Sequence, residues 1–368
     1  MTRPLTTRRE FLTAAAAAAG ALSLGKTVIL PARQAPGGSP ETVAFFHISD
    51  LHYFADPKDP TVIAPRSAEI TSCFVETLNR LGGTEIPEAA GGGRVLEPRG
   101  VIATGDLIDT GDKGGTSEFL RRQKAEWQAF VADFGLNSKG GRLRLPVHEI
   151  HGNHDSPPGT GPVVEGIIER NRRRSGLSAL SPNGLHTSWD WGPVHFLALG
   201  IVVGEGDGVT PRRRYNPLKS LEFLKADLGA RVGSSGRPVV IAHHLDVIRY
   251  SRDPASEAKA EEWDPADARK YFKALRGYNV IAILYGHTHA RNILQWDGTT
   301  VPAAQGIQLF NADNASHYAD DKGAFFYFEI GPDRMTVREY ATADRWKTGA
   351  WTPQAWTFPL RPRRREWL

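Results

Sequence analysis

Five short apolar runs in this sequence are each followed at once by residues of the types that bind metal ions. The apolar runs are 43–49, 101–103, 147–150, 239–242 and 280–284. The residues that follow them are, in order, Asp50 and His52; Asp106 and Asp109; Asn153, His154 and Asp155; His243 and His244; His287 and His289. One such cluster alone is more typical of a polar turn, but five in order, all of oxygen and imidazole type, indicate one shared site.

The chemistry of these side chains narrows the kind of ion. Carboxylate and imidazole ligands together suit Mn, Fe, Zn or Ni rather than Ca or Mg. Cys73 is the only cysteine, so any metal site must be built from histidine, aspartate and asparagine. For the same reason the chain forms no intramolecular disulfide.

The elements that would position these clusters alternate between strand and helix. The apolar runs have the length of buried strands. Helices are predicted at 67–81, 117–134, 218–228 and 266–275. Further strands are predicted at 187–191, 194–199, 307–310, 324–330 and 335–340. This order predicts two packed sheets flanked by helices, with the polar clusters converging at the carboxyl ends of the strands.

Five motifs resemble, in order, those of the calcineurin-like metallophosphoesterase family: Asp-x-His (50–52), Gly-Asp-x-x-Asp (105–109), Gly-Asn-His-Asp (152–155), Val-x-x-His (240–243) and Gly-His-x-His (286–289). The resemblance implies an α/β fold of four layers, an α/β/β/α double β-sandwich, with the catalytic domain at 36–345. It also implies a hydrolase with a binuclear metal centre that acts as a phosphodiesterase or phosphatase.

The resemblance further implies a set of ligands. One ion would be bound by Asp50, His52, Asp106 and His289. The other would be bound by Asp106, Asn153, His243 and His287, so that Asp106 bridges the two ions. A carboxylate can bridge two cations about 3.5–4 Å apart, and a hydroxide between them is nucleophilic near neutral pH. The expected reaction is attack of that hydroxide on phosphorus.

The other residues of the motifs are expected to support the reaction. His154 would protonate the leaving oxygen, with Asp155 orienting its ring, and Asp109 would hold a ligand histidine. A turn-capping role is the alternative for both aspartates. Many members of the family have His-His-Pro-Pro where this chain has residues 243–246, so His244 is expected to contact substrate or to be structural. Asp109 stands where purple acid phosphatases have tyrosine, which makes that subgroup unlikely.

The N-terminus resembles a bacterial twin-arginine (Tat) export signal. Arg8 and Arg9 precede Phe11, and an Ala-rich apolar stretch follows to about Leu24. Residues 1–35 are therefore expected to be a signal segment read by the Tat machinery, which places the protein in the periplasm or outside the cell. An amphipathic first helix is the alternative, but poly-Ala has no polar face. Membrane anchoring would require the signal to stay uncleaved.

Composition and charge bear on the substrate. The 368 residues carry a formal net charge of +4, which is too low to indicate a stable nucleic acid partner. Basic residues cluster at 172–174, at 212–214 and in an expected basic C-terminal tail, 346–368. These clusters are either solvated or form an electropositive surface for an anionic substrate. We expect a small anionic phosphoester; a nuclease of the same family and a non-catalytic metal- or phosphate-binding protein are the alternatives.

Overall fold

Strands whose side chains are buried on both faces form the centre of the molecule. The computed structural model describes residues 28–29, 42–252 and 262–360. The strands in this part of the chain are β1 Val28–Ile29, β2 Val43–Ile48, β3 Val101–Ala103, β4 Val147–Glu149, β5 Leu177–Leu180, β6 Thr187–Trp191, β7 Val194–Ala198, β8 Val239–Ala242, β9 Val280–Tyr285, β10 Asn292–Trp296, β11 Ile307–Asn311, β12 Gly323–Ile330, β13 Arg334–Thr342 and β14 Ala350–Pro359.

Five of the six α-helices in the described residues begin at prolines or at capping side chains. The six helices are α1 Pro65–Leu81, α2 Ser117–Asp133, α3 Pro162–Arg173, α4 Ser220–Asp227, α5 Val247–Tyr250 and α6 Pro265–Leu275. Proline occupies the first turn of α1, α3 and α6, where its missing N–H leaves no hydrogen bond unmade. The Thr116 hydroxyl caps α2 by accepting a hydrogen bond from the Phe119 N–H (3.3 Å), and Asp264 caps α6 in the same way.

The strands form two sheets, and each sheet contains a run of parallel strands. The order in the eight-stranded sheet is β1-β5-β6-β7-β8-β9-β11-β10, and in the six-stranded sheet it is β14-β13-β12-β2-β3-β4. β2, β3 and β4 pair in parallel, as do β7, β8, β9 and β11. Parallel strands end at the same side of a sheet, so the loops that follow them gather there.

Alternation of side chains along the strands produces four layers. In β2, Ala44, Phe46 and Ile48 pack in the core beneath α1 and α2, whereas Val43 and Phe45 pack between the two sheets. In β8, Val239 and Ile241 pack beneath α4 and α6. Val240 and Ala242 face the other sheet. This two-residue period places helices on both outer faces of a sheet pair. The predicted α/β/β/α fold is confirmed.

The C-terminal boundary predicted from the sequence is wrong. Residues 346–368 were expected to form a basic tail, but β14 pairs with β13 from Arg334↔Pro359 to Ala341↔Ala350. Trp346 is also buried, and its indole N–H donates to the Ala315 carbonyl (2.6 Å). The folded domain therefore extends through Pro359.

The predicted signal segment, 1–35, lies outside the described residues except for the backbone of 28–29, and so does the arginine-rich end, 361–368. Within the described part of the chain, no helix combines the length and the apolar character needed to cross a membrane.

Candidate metal centre

The polar clusters meet where the parallel strands of the two sheets end. Asp50 N–H donates to the Gly105 carbonyl (3.1 Å), which ties the loop after β2 to the loop after β3. Gly286 N–H donates to the His244 carbonyl (3.0 Å), which ties the loop after β9 to the loop after β8. The sheets are joined by His287, whose N–H donates to Asp50 Oδ2 (2.9 Å). The backbone therefore assembles all of these loops into one cluster.

Five candidate ligands have left-handed backbone conformations. They are Asp50 (φ 53°), His52 (φ 45°), Asp106 (φ 50°), His287 (φ 72°) and His289 (φ 47°). Each such residue costs about 1–3 kcal/mol unless its surroundings hold it there, and such residues concentrate at functional sites. Close approach of the loops adds a second constraint, because a Cβ on Gly152 would clash with Asp106, and one on Gly286 would clash with Asp50. Glycine is therefore required at both positions.

The first group of ligands surrounds His52 and His289. Their Nε2 atoms lie 3.1 Å apart, and His289 Nε2 lies 3.3 Å from Asp50 Oδ1. His52 Nε2 also lies 3.7 Å from Asp106 Oδ2. Asp109 Oδ1 contacts the other nitrogen of His52, Nδ1, at 3.2 Å, which is the position expected for a residue that holds a ligand histidine. Burial opposes protonation of His289, but the Asp50 carboxylate outweighs it and raises the pKa of His289 to about 9.

The second group surrounds His244. Its Nε2 lies 3.2 Å from Asp106 Oδ2 and 3.0 Å from Asn153 Oδ1. Its Nδ1 lies 2.6 Å from the Thr104 carbonyl oxygen and must carry the hydrogen, which leaves Nε2 as the metal-binding nitrogen of the neutral ring. Burial lowers the pKa of His244, but Asp106 outweighs it and raises that pKa to about 9. His287 offers a third ligand atom, within 4.8 Å of those of Asp106 and His244.

His154 and Asp155 have different surroundings from those expected. The Asp155 carboxylate accepts hydrogen bonds from the N–H groups of Gly152 (2.7 Å), Ile108 (2.9 Å) and Leu107 (3.1 Å). It therefore fixes the loops around Asp106 and does not orient the His154 ring, so that sequence-based role is wrong. Burial and the charge of Asp106 raise the pKa of Asp155 to about 7.

The His154 ring is held by the backbone instead. His154 Nδ1 lies 3.1 Å from the Asp109 carbonyl oxygen, and Asp112 Oδ1 lies 3.8 Å away. The ring centroid lies 4.8 Å from that of His52, and the side chain is 28% exposed. Its backbone N–H donates to Asp106 Oδ1 (2.8 Å). His154 thus borders both groups of ligands and remains accessible to a substrate.

The calcineurin-like phosphoesterase family profile matches residues 43–291, which is more than half of the chain. The chain belongs to the calcineurin-like phosphoesterase family. The family predicted from the motifs is confirmed, and membership supports a metal-dependent phosphoesterase. No curated protein sequence matches the chain.

Among solved structures, the likeness to a dimetal phosphatase supports the architecture. A dimetal phosphatase from Danio rerio is 15% identical with a TM-score of 0.50, and the match covers 88% of this chain and 100% of that one. GAP50 of Plasmodium, described as the anchor in the inner membrane complex, is 9% identical with a TM-score of 0.42, and the match covers 88% and 90% of the two chains. At these identities the likeness shows the fold alone.

His243 is a candidate ligand that the fold places elsewhere. Its ring packs among Trp263, Tyr271 and Tyr285, with centroid distances of 5.0, 5.7 and 6.1 Å, and burial lowers its pKa to about 3. Side chains 239 and 241 of β8 face the helices, so 243 does too and His244 faces the ligands. The sequence-based assignment is therefore corrected: His244 takes the ligand position and His243 is a core residue.

Two residues of the centre were not expected from the sequence. His317, in the loop before β12, packs its ring against His52 (4.6 Å) and His289 (5.1 Å), and the three can offer ligand atoms within 4.8 Å of one another. Glu262 Oε2 lies 3.1 Å from His287 Nε2. Both lie in loops outside the five motifs, where the sequence carries no periodic or spacing signal.

The arginine clusters have different environments. Arg174 is buried and contacts Glu149 (2.7 Å), so the 172–174 cluster is partly structural. In the 212–214 cluster, Arg213 contacts Asp267 (2.6 Å) and Arg214 contacts Glu262 (2.7 Å). Of these two clusters, the one at 212–214 is therefore linked to the candidate metal centre, through Glu262.

The residues present fit a pair of transition-metal ions. Two ligand atoms bound to one ion at about 2.1 Å are about 3.0–3.4 Å apart at octahedral or tetrahedral angles. The 3.1 Å between the Nε2 atoms of His52 and His289, and the 3.2 Å between His244 and Asp106, agree with that spacing. The mixture of imidazole, carboxylate and amide ligands suits Mn, Fe, Zn or Ni.

Proposed function

We propose that this protein hydrolyses phosphoesters, either monoesters or diesters, at a two-metal centre. The observation that carries the proposal is the position of Asp106, whose Oδ2 lies 3.7 Å from His52 Nε2 and 3.2 Å from His244 Nε2. One carboxylate thus contacts both groups of ligands, as a bridging ligand must. Two ions held there would polarise phosphoryl oxygens and lower the pKa of water to near neutrality.

The ligand sets follow from the contacts. Asp50, His52, Asp106 and His289 would hold the first ion. Asp106, Asn153, His244 and His287 would hold the second. Hydrogen bonds to Asp109 and to the Thr104 carbonyl hold the rings of His52 and His244, so little rearrangement is needed when metal binds.

His154 would supply the proton to the leaving oxygen. Its Nδ1 is engaged by the Asp109 carbonyl, so Nε2 is the nitrogen left for substrate. Burial lowers the pKa of His154, but Asp106 and the other acidic neighbours outweigh it and raise that pKa above its usual value. A partly exposed histidine at the border of the ligands suits an ester of small-molecule size.

Export through the Tat route is part of the proposal. The paired arginines and the Ala-rich stretch support delivery of the folded protein to the periplasm or beyond, with metal inserted before export. A fusion of residues 1–35 to a reporter that needs folded export would test this, with Arg8→Lys and Arg9→Lys together as the control that should retain the reporter inside the cell.

The activity is tested with metal-stripped protein. Bis-p-nitrophenyl phosphate and p-nitrophenyl phosphate are assayed after Mn, Zn, Fe or Ni is restored in turn. We expect turnover only with metal, and the ratio of the two rates separates a diesterase from a monoesterase. Stoichiometric metal uptake without turnover of either ester, or of a panel of nucleotides and sugar phosphates, would contradict the proposal.

A further inference from the structure

Every ligand histidine of a metal centre needs its ring fixed, and in this chain one fixing contact comes from within a motif and another from the residue directly before it. Asp109 contacts the Nδ1 atom of His52 at 3.2 Å, and the Thr104 carbonyl contacts that of His244 at 2.6 Å. In each case the partner is an acceptor, so it selects the tautomer whose other nitrogen can bind metal.

His287 has a comparable contact, but the partner lies outside the motifs. Glu262 Oε2 is 3.1 Å from His287 Nε2. A carboxylate can only accept, so the Nε2 atom of His287 carries the hydrogen and Nδ1 keeps its lone pair. The Tyr250 ring packs edge-on against the same imidazole, with centroids 5.0 Å apart.

Glu262 is itself held in place. Its second oxygen, Oε1, accepts a hydrogen bond from Arg214 Nη1 (2.7 Å), and the Arg214 guanidinium lies over the Tyr215 ring, 5.3 Å from its centroid. Tyr215 is buried, whereas the Arg214 side chain is 60% exposed. A chain of contacts therefore runs from the core through Tyr215, Arg214 and Glu262 to His287.

We infer that Glu262, fixed by Arg214, is a positioning residue that orients His287 so that its Nδ1 atom binds the second metal ion. The inference rests on the proposed two-metal function. Loss of a carboxylate that supports a metal-binding histidine typically weakens metal affinity about 10–100-fold. The effect should be confined to the second ion, because Glu262 contacts His287, whereas His52 of the first ion is held by Asp109.

The test is calorimetric titration of metal-free protein with Mn(II), with bound metal counted independently after dialysis. Wild-type protein should bind two equivalents. In Glu262→Ala the second equivalent should bind about 10–100-fold more weakly while the first is unchanged. Glu262→Gln keeps an acceptor oxygen and should recover part of this loss, and Arg214→Ala should show a smaller loss of the same kind. Glu205→Ala is the matched control, since that carboxylate pairs at the surface with Lys225 and Lys270.

A double variant separates positioning from other roles. In a His287→Ala background, Glu262→Ala should cause no further change, because its effect passes through that ring. Equal second-site affinity in Glu262→Ala and wild type, or a further loss in the His287→Ala background, would overturn the inference. If wild-type protein bound fewer than two equivalents, the proposed function itself would fail.

Discussion

Two buried clusters of histidine and aspartate in this protein are built on different principles. In the first, His195 Nδ1 contacts Asp190 (2.8 Å) and its Nε2 contacts Asp227 (2.6 Å). Arg237 contacts Asp190 (2.7 Å), and Ser188 donates to Asp227 (2.7 Å). The carboxylates of Asp190 and Asp227 thus face the His195 imidazolium and the Arg237 guanidinium. These residues lie on β6, α4 and β7 and in the segment directly before β8.

The metal centre has the opposite character. Its ligands lie beyond the strand ends, five of them in left-handed conformations, and two ring nitrogens face each other at 3.1 Å. The His195 cluster, in contrast, has all of its charges matched within regular elements. From this difference we infer that a histidine between carboxylates is structural where both of its ring nitrogens and both carboxylates have protein partners. It is a metal ligand where strained loops leave the nitrogens directed at one another.

The largest effect is expected from Asp106→Asn. A neutral amide cannot supply the bridging charge, so bound metal and turnover should both fall, turnover by orders of magnitude. Metal-free Asp106→Asn should also unfold somewhat more readily than wild type, because the Asp106 carboxylate contacts His244 (3.2 Å) and the neighbouring histidines hold its pKa well below the ordinary value. Metal analysis and steady-state kinetics measure the first effect, and urea unfolding measures the second. Wild-type turnover in this variant would rule out the ligand assignment.

The adjacent histidines give the next comparison. His244→Ala should lose the second metal ion and most of the activity while the metal-free fold persists. His243→Ala should keep both ions but lose roughly 1–3 kcal/mol of unfolding free energy, because it leaves a cavity among three aromatic rings. Metal counting and urea unfolding on both variants decide the matter. The reverse pattern would restore His243 as the ligand.

This pair also shows what the sequence could and could not predict. The five clusters and the parallel strands before them were readable because buried strands and their polar ends are local signals. The motif spacing pointed to His243. Residues 239–242 are all apolar, so the sequence does not show which of them face the helices, and it is the structure that places 243 on the helix side.

Other parts of the centre carried no such signal. His317 and Glu262 reach it from loops, through contacts between residues far apart in the chain, and neither lies at a fixed distance from a motif. Asp155 was predicted to act through the adjacent His154. An aspartate at a tight turn is equally suited to accept hydrogen bonds from backbone N–H groups, and this is the role of Asp155 in the structure. Tertiary packing decided these cases.

In the His195 cluster, Asp227→Asn should affect folding and leave metal binding intact. The change removes the charge that a buried imidazolium faces at 2.6 Å, so the free energy of unfolding should fall by about 1–3 kcal/mol. Urea unfolding and metal counting measure the two quantities. Asp333→Asn is the control, because that carboxylate is exposed and pairs with the neighbouring Arg334. Loss of metal in Asp227→Asn would mean that the two clusters are coupled.

The smallest expected effect is the pH dependence of this cluster. Burial lowers the pKa of His195, but Asp190 and Asp227 outweigh it and raise that pKa above its ordinary value. A raised folded-state pKa contributes stability that is complete below the unfolded value of about 6.5 and is lost as the pH rises through the folded value. The stability difference between wild type and His195→Gln should therefore shrink on going from pH 6 to more alkaline solution, by at most about 1.4 kcal/mol per pH unit.

Both wild type and His195→Gln are measured as metal-free protein. The pKa values of His244 and His289 are also raised, but these residues contribute equally to the stability of both proteins and cancel in the difference. Urea midpoints at a series of pH values give the measurement. A difference that stays constant across the series would mean that folding does not shift the pKa of His195, and one that grows with pH would mean that His195 is neutral in the folded protein. A neutral His195 ring donates only one hydrogen bond, so one of the two aspartates would lose it as a partner. Charge matching would then no longer distinguish this cluster from the candidate metal centre.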